Sequence, residues 1–325
     1  MTISEIGDRL VLTGSVDGNV FPKTEKETLF PLSIKPEDNP IQIDGSVYAR
    51  SIDIGTGSVT IVGPIASRGD ITVAAGSGIF RALAGITSLS GFVVGEKKQS
   101  NRQLVENINE CRTLVRGDIV CNQSILLNDA IVFGSINAVN CTLVNSIVLG
   151  TVHCSDQLSV EMSSLGGYLA NTIIFRGVCA LYNALGESCD KPQFLPYEDL
   201  DGTLVPSSVH LYPAIRSESG LRLTADQVTD DSLSYLYPDV DWIAVQAEPD
   251  PLSDSDNSSM RWVLSIGGRI ADFSKINESL IALSEMLRVG FEYSHYNTET
   301  RAKEVEGVLK RLTRPEAAIL QAVCY

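Results

Sequence analysis

The sequence predicts a mainly β protein, built as a parallel, three-sided β-helix (a β-solenoid) followed by a smaller α+β domain with C-terminal helices. The first observation is a phrase of glycine, then Ser, Asp or Thr, then Val or Ile, which recurs through the first half of the 325-residue chain. The second is the steady spacing of its later copies, which is typical of stacked repeats. The copies begin at Gly14, Gly45, Gly57, Gly69, Gly117, Gly134 and Gly150.

The residues after Gly134 show how one repeat closes a turn. Apolar or small residues follow in steps of two, three, two, three and two, and a step of two keeps both side chains on one face of a strand. A step of three turns a corner without changing the face, so three short sides make one turn of about 16–17 residues. The predicted inward residues are Ile136, Ala138, Cys141, Leu143, Ser146 and Val148.

The turns that start at Gly117 and Gly150 repeat this pattern. Inward residues of successive turns should stack, which explains the cysteines as small packing groups. The glycines are expected at corners that require positive φ. Gly45, Gly57 and Gly69 follow one another more closely than the later copies do, so some of them are expected to start different sides of a turn. The predicted core stack comprises Ile119, Cys121, Ile136, Ala138, Val152 and Cys154.

Three regions follow from these patterns. Residues 1–40 are expected to form an N-terminal strand and loop segment, because the prolines between 22 and 40 are incompatible with a continuous central strand. Residues 41–180 are predicted to form the β-helix, about seven turns long. Its polar insertion at 95–112 is expected to bulge outward as a short helix. From 181 the rhythm stops, and residues 181–325 are assigned to the α+β domain.

The C-terminal half is predicted to combine a few strands with helices. Helical spacing of apolar residues predicts helices at 273–289 and 299–312, and a third that ends near Val323. Residues 186–260 carry 15 acidic and three basic side chains and include an exposed acidic loop at 247–259. Short strands are indicated around residues 209–211, 221–223 and 242–245.

The composition disfavours several functions. A net charge of −15 would repel nucleic-acid phosphates. The sequence has no apolar run of about 18 residues and no secretory signal, which predicts a cytoplasmic location and leaves membrane association open. We predict no catalytic, cofactor-binding or metal-binding residues, because the seven cysteines lack a C-x-x-C pair and the three histidines lie in separate regions.

The phrases GSVYARSIDI, GSVTIVGPIASRGDITV, GDIVCNQSILL and GSINAVNCTLVNSIVLGTVHC resemble the repeats of bactofilins, a family of polymer-forming bacterial cytoskeletal proteins. The resemblance covers about residues 41–180. It implies a right-handed β-helix that joins end to end into nucleotide-free filaments, often lies on membranes and scaffolds other proteins. The chain departs from the family in lacking a membrane-targeting stretch and in its long C-terminal domain. Candidate end-association residues are Val47, Ala49, Leu169 and Ile173.

Three functional hypotheses follow. The leading one is a non-enzymatic, bactofilin-like scaffold that self-associates through its β-helix ends, because an uncapped end presents unpaired strand edges. Its acidic C-terminal domain would regulate assembly or recruit a protein partner. The alternative is a non-polymerising β-solenoid interaction protein, a dimer or small oligomer, and it is favoured if the turn near 167–179 is covered. The third is an enzyme that modifies sugars or acyl groups.

Overall fold

The computed structural model describes residues 3–6, 8–23, 28–36, 39–74, 78–95, 113–181, 186–198, 202–211, 216–217, 220–221, 240–246, 260–266 and 269–270. Within these residues the chain forms strands and turns and contains no helix. The strands stack in parallel into a β-solenoid of about nine turns, which confirms the predicted solenoid and makes it longer than expected.

Each turn has three sides, and equivalent sides of successive turns pair as parallel strands. We call the three resulting sheets faces A, B and C. Face A contains β2 (Arg9–Leu12), β3 (Leu32–Ile34), β6 (Ile52–Ile54), β9 (Ile71–Val73), β12 (Phe92–Val94), β15 (Ser124–Asn128), β18 (Asn140–Val144) and β23 (Gln193–Leu195). Face B contains β4 (Ile41–Ile43), β7 (Val59–Ile61), β10 (Phe80–Ala82), β13 (Thr113–Val115), β16 (Ala130–Val132), β21 (Val178–Leu181) and β26 (Ser208–Leu211).

Face C completes the triangle. Its strands are β5 (Val47–Ala49), β8 (Ile65–Ser67), β11 (Ile86–Ser88), β14 (Ile119–Cys121), β17 (Ile136–Ala138) and β22 (Gly186–Ser188). Two long strands, β19 (Ile147–Glu161) and β20 (Ser164–Arg176), each run through all three sides of a turn. The other strands pair antiparallel and are β1 (Ile3–Ile6), β24 (Tyr197–Glu198), β25 (Leu204–Val205), β27 (Arg216–Ser217), β28 (Gly220–Leu221), β29 (Val240–Gln246), β30 (Met260–Ile266) and β31 (Arg269–Ile270).

The core runs along the axis of the solenoid. Most three-residue strands bury their first and third side chains, as strand alternation requires. All six predicted inward residues of the turn after Gly134 are buried, with exposed fractions of 4% or less. Together the inward residues form one continuous hydrophobic cluster from Leu12 to Leu264.

The length of a turn changes along the solenoid. Leu32, Ile52, Ile71 and Phe92 occupy equivalent positions on face A in the early turns. Ile125, Cys141, Leu158 and Ile173 are equivalent in the later turns and lie closer together in the sequence. The predicted turn length holds for the later turns and is too short for the early ones. Two corners account for the difference. The corner between faces A and B spans 55–58 between β6 and β7 but only Asp129 between β15 and β16, and the corner between faces C and A spans 68–70 between β8 and β9 but only Val139 between β17 and β18.

The repeated glycines are required at the corners mainly because the backbones pack closely there, and not because the backbone adopts positive φ. Of the seven, Gly57 alone has positive φ, at 119°. Gly117 and Gly134 precede the face C strands β14 and β17, Gly150 precedes the face C part of β19, and the three stack on one another. A Cβ on Gly134 would lie 2.6 Å from the carbonyl carbon of Gly117. The expectation of positive φ is thus wrong at these corners, where the backbones approach too closely for a side chain.

The solenoid extends beyond the predicted limits of 41–180. β2 and β3 pair in the stack on the N-terminal side, and β22, β23 and β26 continue it past residue 180. β3 lies within the proline-rich segment, where its three residues fit between Pro31 and Pro36, and it belongs to the solenoid rather than to a separate N-terminal segment.

Two of the three strands predicted in the C-terminal half lie wholly within the described residues. The strands at 209–211 and 242–245 are confirmed as β26 and β29. Residue 221 lies in β28, while 222 and 223 are outside the described residues. Also outside the described residues are 96–112 of the insertion, the acidic loop 247–259 and the three predicted helices.

Candidate functional site

The middle of the solenoid is devoted to packing. The structure places all six residues of the predicted core stack inside face C. In each of these turns a large residue, such as Ile119, is followed two positions later by a small one, such as Cys121. This alternation of large and small side chains suits the dense packing of protein cores.

Burial suppresses the reactivity of the core cysteines. Desolvation raises the pKa of the Cys121 thiol to about 12 and that of Cys179 to about 11. The pKa of Cys141 is also raised, first by its hydrogen bond with Cys154 and then by burial. Because the thiolate is the nucleophile and the metal ligand, these side chains are packing groups. In the described part of the chain, no group of three or more His, Cys, Asp or Glu residues is placed to hold a metal ion.

The candidate end-association residues belong to internal turns of the stack, where three of them are buried and Leu169 points outward with 36% of it exposed. Val47 pairs with Ile65 on one side and bridges Val20 on the other, and Ala49 belongs to the same strand. Leu169 and Ile173 lie in β20, which is followed by β22 and β23. These turns are therefore not the ends, because the stack extends further in both directions than the sequence rhythm indicates.

The N-terminal end is covered. The inward residues of the first turn, Leu12, Val16 and Val20, are 0%, 6% and 6% exposed. β1 pairs antiparallel along β2, and Glu5 lies opposite Leu10, which packs against the core. A charged residue on the core side of an edge strand disfavours the stacking of another sheet edge.

An antiparallel hairpin covers the C-terminal end. β29 and β30 pair over seven residues each, and β30 also pairs antiparallel with β22, the last strand of face C. Trp242 of β29 and Leu264 of β30 lie directly opposite each other, so their side chains share one side of the hairpin. Leu264 is fully buried in the solenoid core, and Trp242 packs against that core. We call this pair the plug.

Aromatic side chains replace aliphatic ones beneath the plug. Tyr168 occupies the face C position held by Ile136 and Val152 in earlier turns, and its hydroxyl accepts a hydrogen bond of 2.6 Å from Trp242 Nε1. The ring of Phe175 lies 6.0 Å from the rings of both Tyr168 and Trp242. Such edge-to-face and tilted contacts are favourable beyond simple burial.

The residue above Tyr168 is a glycine for a steric reason. A Cβ on Gly186 would lie 2.6 Å from Cε1 of the Tyr168 ring. The glycine thus allows the ring to extend past the edge of its turn and reach Trp242. Desolvation raises the pKa of the buried Tyr168 hydroxyl above its ordinary value. Tyr168 therefore stays neutral further into the alkaline range than an exposed tyrosine does.

Polar contacts attach the hairpin at its rim. Arg261 of β30 pairs with Glu187 of β22 through a hydrogen-bonded ion pair. Lys191 lies 5.3 Å from the centre of the Trp262 ring, within the range of a cation–π contact. The hydrogen bond of Glu187 is the main cause of the raised pKa of Arg261.

The covering is incomplete on face A. Phe194 of β23 occupies the inward position equivalent to Phe175 and stacks on it at 5.5 Å. Its ring also meets Trp242 edge-on at 5.4 Å. Even so, 41% of Phe194 is exposed, in contrast to the almost fully buried inward residues of the first turn.

Sequence reasoning misses the plug. The sequence pattern assigns Trp242 to a strand without a function, and it singles out neither Tyr168 nor Gly186. One signal is present, because the chain has only two tryptophans, and Trp242 and Trp262 fall in neighbouring strand-like segments next to the solenoid.

Comparisons with protein-family models, with curated proteins and with solved structures found no match. The function proposed below therefore rests on the sequence and structure of this chain. In the part of the chain that the structure describes, no helix is long and apolar enough to cross a membrane.

Proposed function

We propose that the protein is a non-enzymatic β-solenoid interaction protein that acts as a discrete particle rather than as a filament subunit. The observation that carries this proposal is the antiparallel pairing of β30 with β22, which ends the parallel stack on face C. A filament built from solenoids needs open ends, where the strand edges of one copy continue the sheets of the next. In this chain the edge of β22 is already paired.

The turn at 167–179 supports the same proposal. A covered turn here favours a discrete particle over a filament. Tyr168 lies under Trp242, Phe175 lies under the same ring, and Cys179 is buried. The rigid solenoid would then present its outward side chains at the regular spacing of parallel strands, about 4.8 Å, as a scaffold for partners.

A bactofilin-like filament is the second candidate, and Phe194 favours it. An inward aromatic ring that is 41% exposed is an apolar contact available at the end of face A. In this candidate the path of the solenoid is right-handed, as the resemblance implies, and the C-terminal region regulates assembly.

Partners and location are also proposals. The excess of acidic residues in 186–260 suits a partner with a basic surface, because complementary charge steers association. The reduced state of the buried thiols suits the cytoplasm.

Sedimentation velocity of the full chain without nucleotide, together with negative-stain electron microscopy, tests the proposal. We expect one species of discrete size whose mass is a small multiple of 35.1 kDa. Filaments, or a continuous rise of mass with concentration, would contradict it and favour the bactofilin-like candidate.

A further inference from the structure

The direction of β30 shows which orientation of strand pairs with the C-terminal end of the solenoid. Within the solenoid every added strand is parallel to its neighbour, so a second copy stacked head to tail would add a parallel strand to β22. A second copy related by a two-fold axis, with its C-terminal end facing this one, would instead add an antiparallel strand. β30 pairs antiparallel with β22, through Glu187 opposite Val263 and Ser188 opposite Trp262.

We infer that the hairpin β29–β30 covers a self-association surface of the same chain, and that the partner for this surface is the same surface of a second copy. The inference rests on the proposed function, because it assumes that the hairpin keeps the chain discrete. It adds that displacement of the hairpin produces a two-fold dimer.

The covered surface has the chemistry of a protein interface. Tyr168 and Phe175 are fully buried beneath the plug, and Phe194 continues the same aromatic surface to the solvent. Aromatic side chains are enriched at the centres of interfaces, where they bury large areas with little loss of side-chain freedom. A two-fold contact repeats one patch on both copies, so an aromatic patch at the end of the solenoid is able to pair with its own copy.

Among the described residues, the strand pairing that joins the hairpin to the solenoid is short, and the inference takes the hairpin to be displaceable there. Its plug consists of two side chains, Trp242 and Leu264, and its pairing with β22 involves two residue pairs. The ion pair between Arg261 and Glu187 is partly exposed, so it adds little stability. Met260, at the start of β30, is 53% exposed.

The difference between the two ends determines how many copies can associate. When the hairpin is displaced, β1 still pairs along β2 at the N-terminal edge of face A and the inward side chains of the first turn stay buried, so the C-terminal end is the surface for association. Assembly of this kind closes at two copies, whereas two open ends would give an open chain of copies.

The experiment is sedimentation velocity of the full chain carrying Trp242→Ala, compared with the wild type over a wide concentration range. We expect the variant to double in mass relative to the wild type, with no larger species. Val263→Ala is the control, because it shortens a side chain of the same hairpin on the side that faces away from Trp242 and Leu264. We expect it to retain the wild-type mass.

Hydrogen exchange of residues 119–154 shows whether the solenoid remains folded in the variant. A folded Trp242→Ala chain that keeps the wild-type mass at every concentration would overturn the inference. If Trp242→Ala unfolds, Arg261→Glu decides, since it does more than remove a weak ion pair: it removes the hydrogen bond to Glu187 and sets two carboxylates against each other beside the two residue pairs that join β30 to β22, and it spares the core. A concentration-dependent doubling supports the inference, and an unchanged mass overturns it. Wild-type filaments would instead overturn the proposed function.

Discussion

The middle of the solenoid and its C-terminal end are built from the same turn but differ in chemistry. In the middle, Ile136 and Ala138 stack on the turns above and below, and parallel pairing continues on both sides. At the end, Tyr168 replaces the aliphatic residue, Gly186 leaves space for its ring, and an antiparallel hairpin takes over the pairing. The comparison shows that a repeat is ended by changing both the side-chain size and the strand direction.

The two regions differ because they have different numbers of neighbouring turns. A middle turn has neighbours on two sides, so uniform small and aliphatic residues fill it well. A last turn has one neighbour, and its apolar side chains and strand edge face water unless another element covers them. Large aromatic side chains on a returning hairpin cover that area with few residues.

The largest expected effect separates the two regions by stability. Leu143→Ala leaves a cavity at a fully buried position in the middle, and we expect the free energy of unfolding to fall by about 3 kcal/mol. Phe194→Ala at the end should cost less, about 1–2 kcal/mol, because its ring is already partly in water. Urea unfolding followed by circular dichroism measures both, and equal losses would contradict the difference.

A glycine substitution tests the close packing of the middle. Gly134→Ala places a Cβ 2.6 Å from the carbonyl carbon of Gly117, and we expect a loss of about 2 kcal/mol because the backbones must separate. Gly55→Ala is the matched control, since its Cβ would meet the carbonyl oxygen of Ile34 at an ordinary 3.4 Å. Thermal unfolding of both variants compares them, and a neutral Gly134→Ala would show that the corner is not tight.

Alkaline pH tests the burial of the Cys121 thiol. Its pKa is about 12 in the folded chain and 9.0 as the ordinary value, so only the unfolded chain ionises between these pH values. The stabilisation is present below about pH 9 and is lost as the pH rises towards 12, by at most about 1.4 kcal/mol per pH unit. Cys121→Ala should flatten this part of the profile of stability against pH. An unchanged slope would contradict the account.

The smallest effect concerns reactivity without a change in stability. Of the cysteines that the structure describes, Cys189 is exposed near the hairpin and the other four are buried. We expect a thiol reagent to label Cys189 in the native chain, and to label Cys121, Cys141, Cys154 and Cys179 only after unfolding. Peptide mass spectrometry identifies the labelled sites. Rapid native labelling of any of these four would show that the core opens.

The repeat is predictable because its physics is local. The step pattern after Gly134 reports strand alternation directly, so the inward residues follow from spacing alone. Corners of different length obscure the early turns, because the rhythm between Leu32 and Phe92 is not constant. Spacing alone predicts the wrong backbone conformation for the repeated glycines. The reason is that the residues of one turn do not show how closely the next turn approaches.

The closing of the ends does not follow from the sequence rhythm. The contact between Trp242 and Tyr168 joins residues 74 positions apart, and neither residue belongs to a repeating pattern there. The strand Trp242–Val245 is predictable from its apolar residues, but its partner is not, since any exposed edge can pair with it. The sequence places the candidate ends at Val47 and Ile173 because the recognisable rhythm fades before the stack does.

An engineered disulfide tests the central claim, that this chain closes its own C-terminal end, most directly. Glu187→Cys and Val263→Cys lie directly opposite in the antiparallel register, at a separation that a disulfide spans, and Cys189→Ser removes the exposed thiol nearby. We predict that mild oxidation joins residues 187 and 263 within one chain, as identified by peptide mass spectrometry of the monomer band. Two free thiols, or a bond between two chains, would contradict the claim.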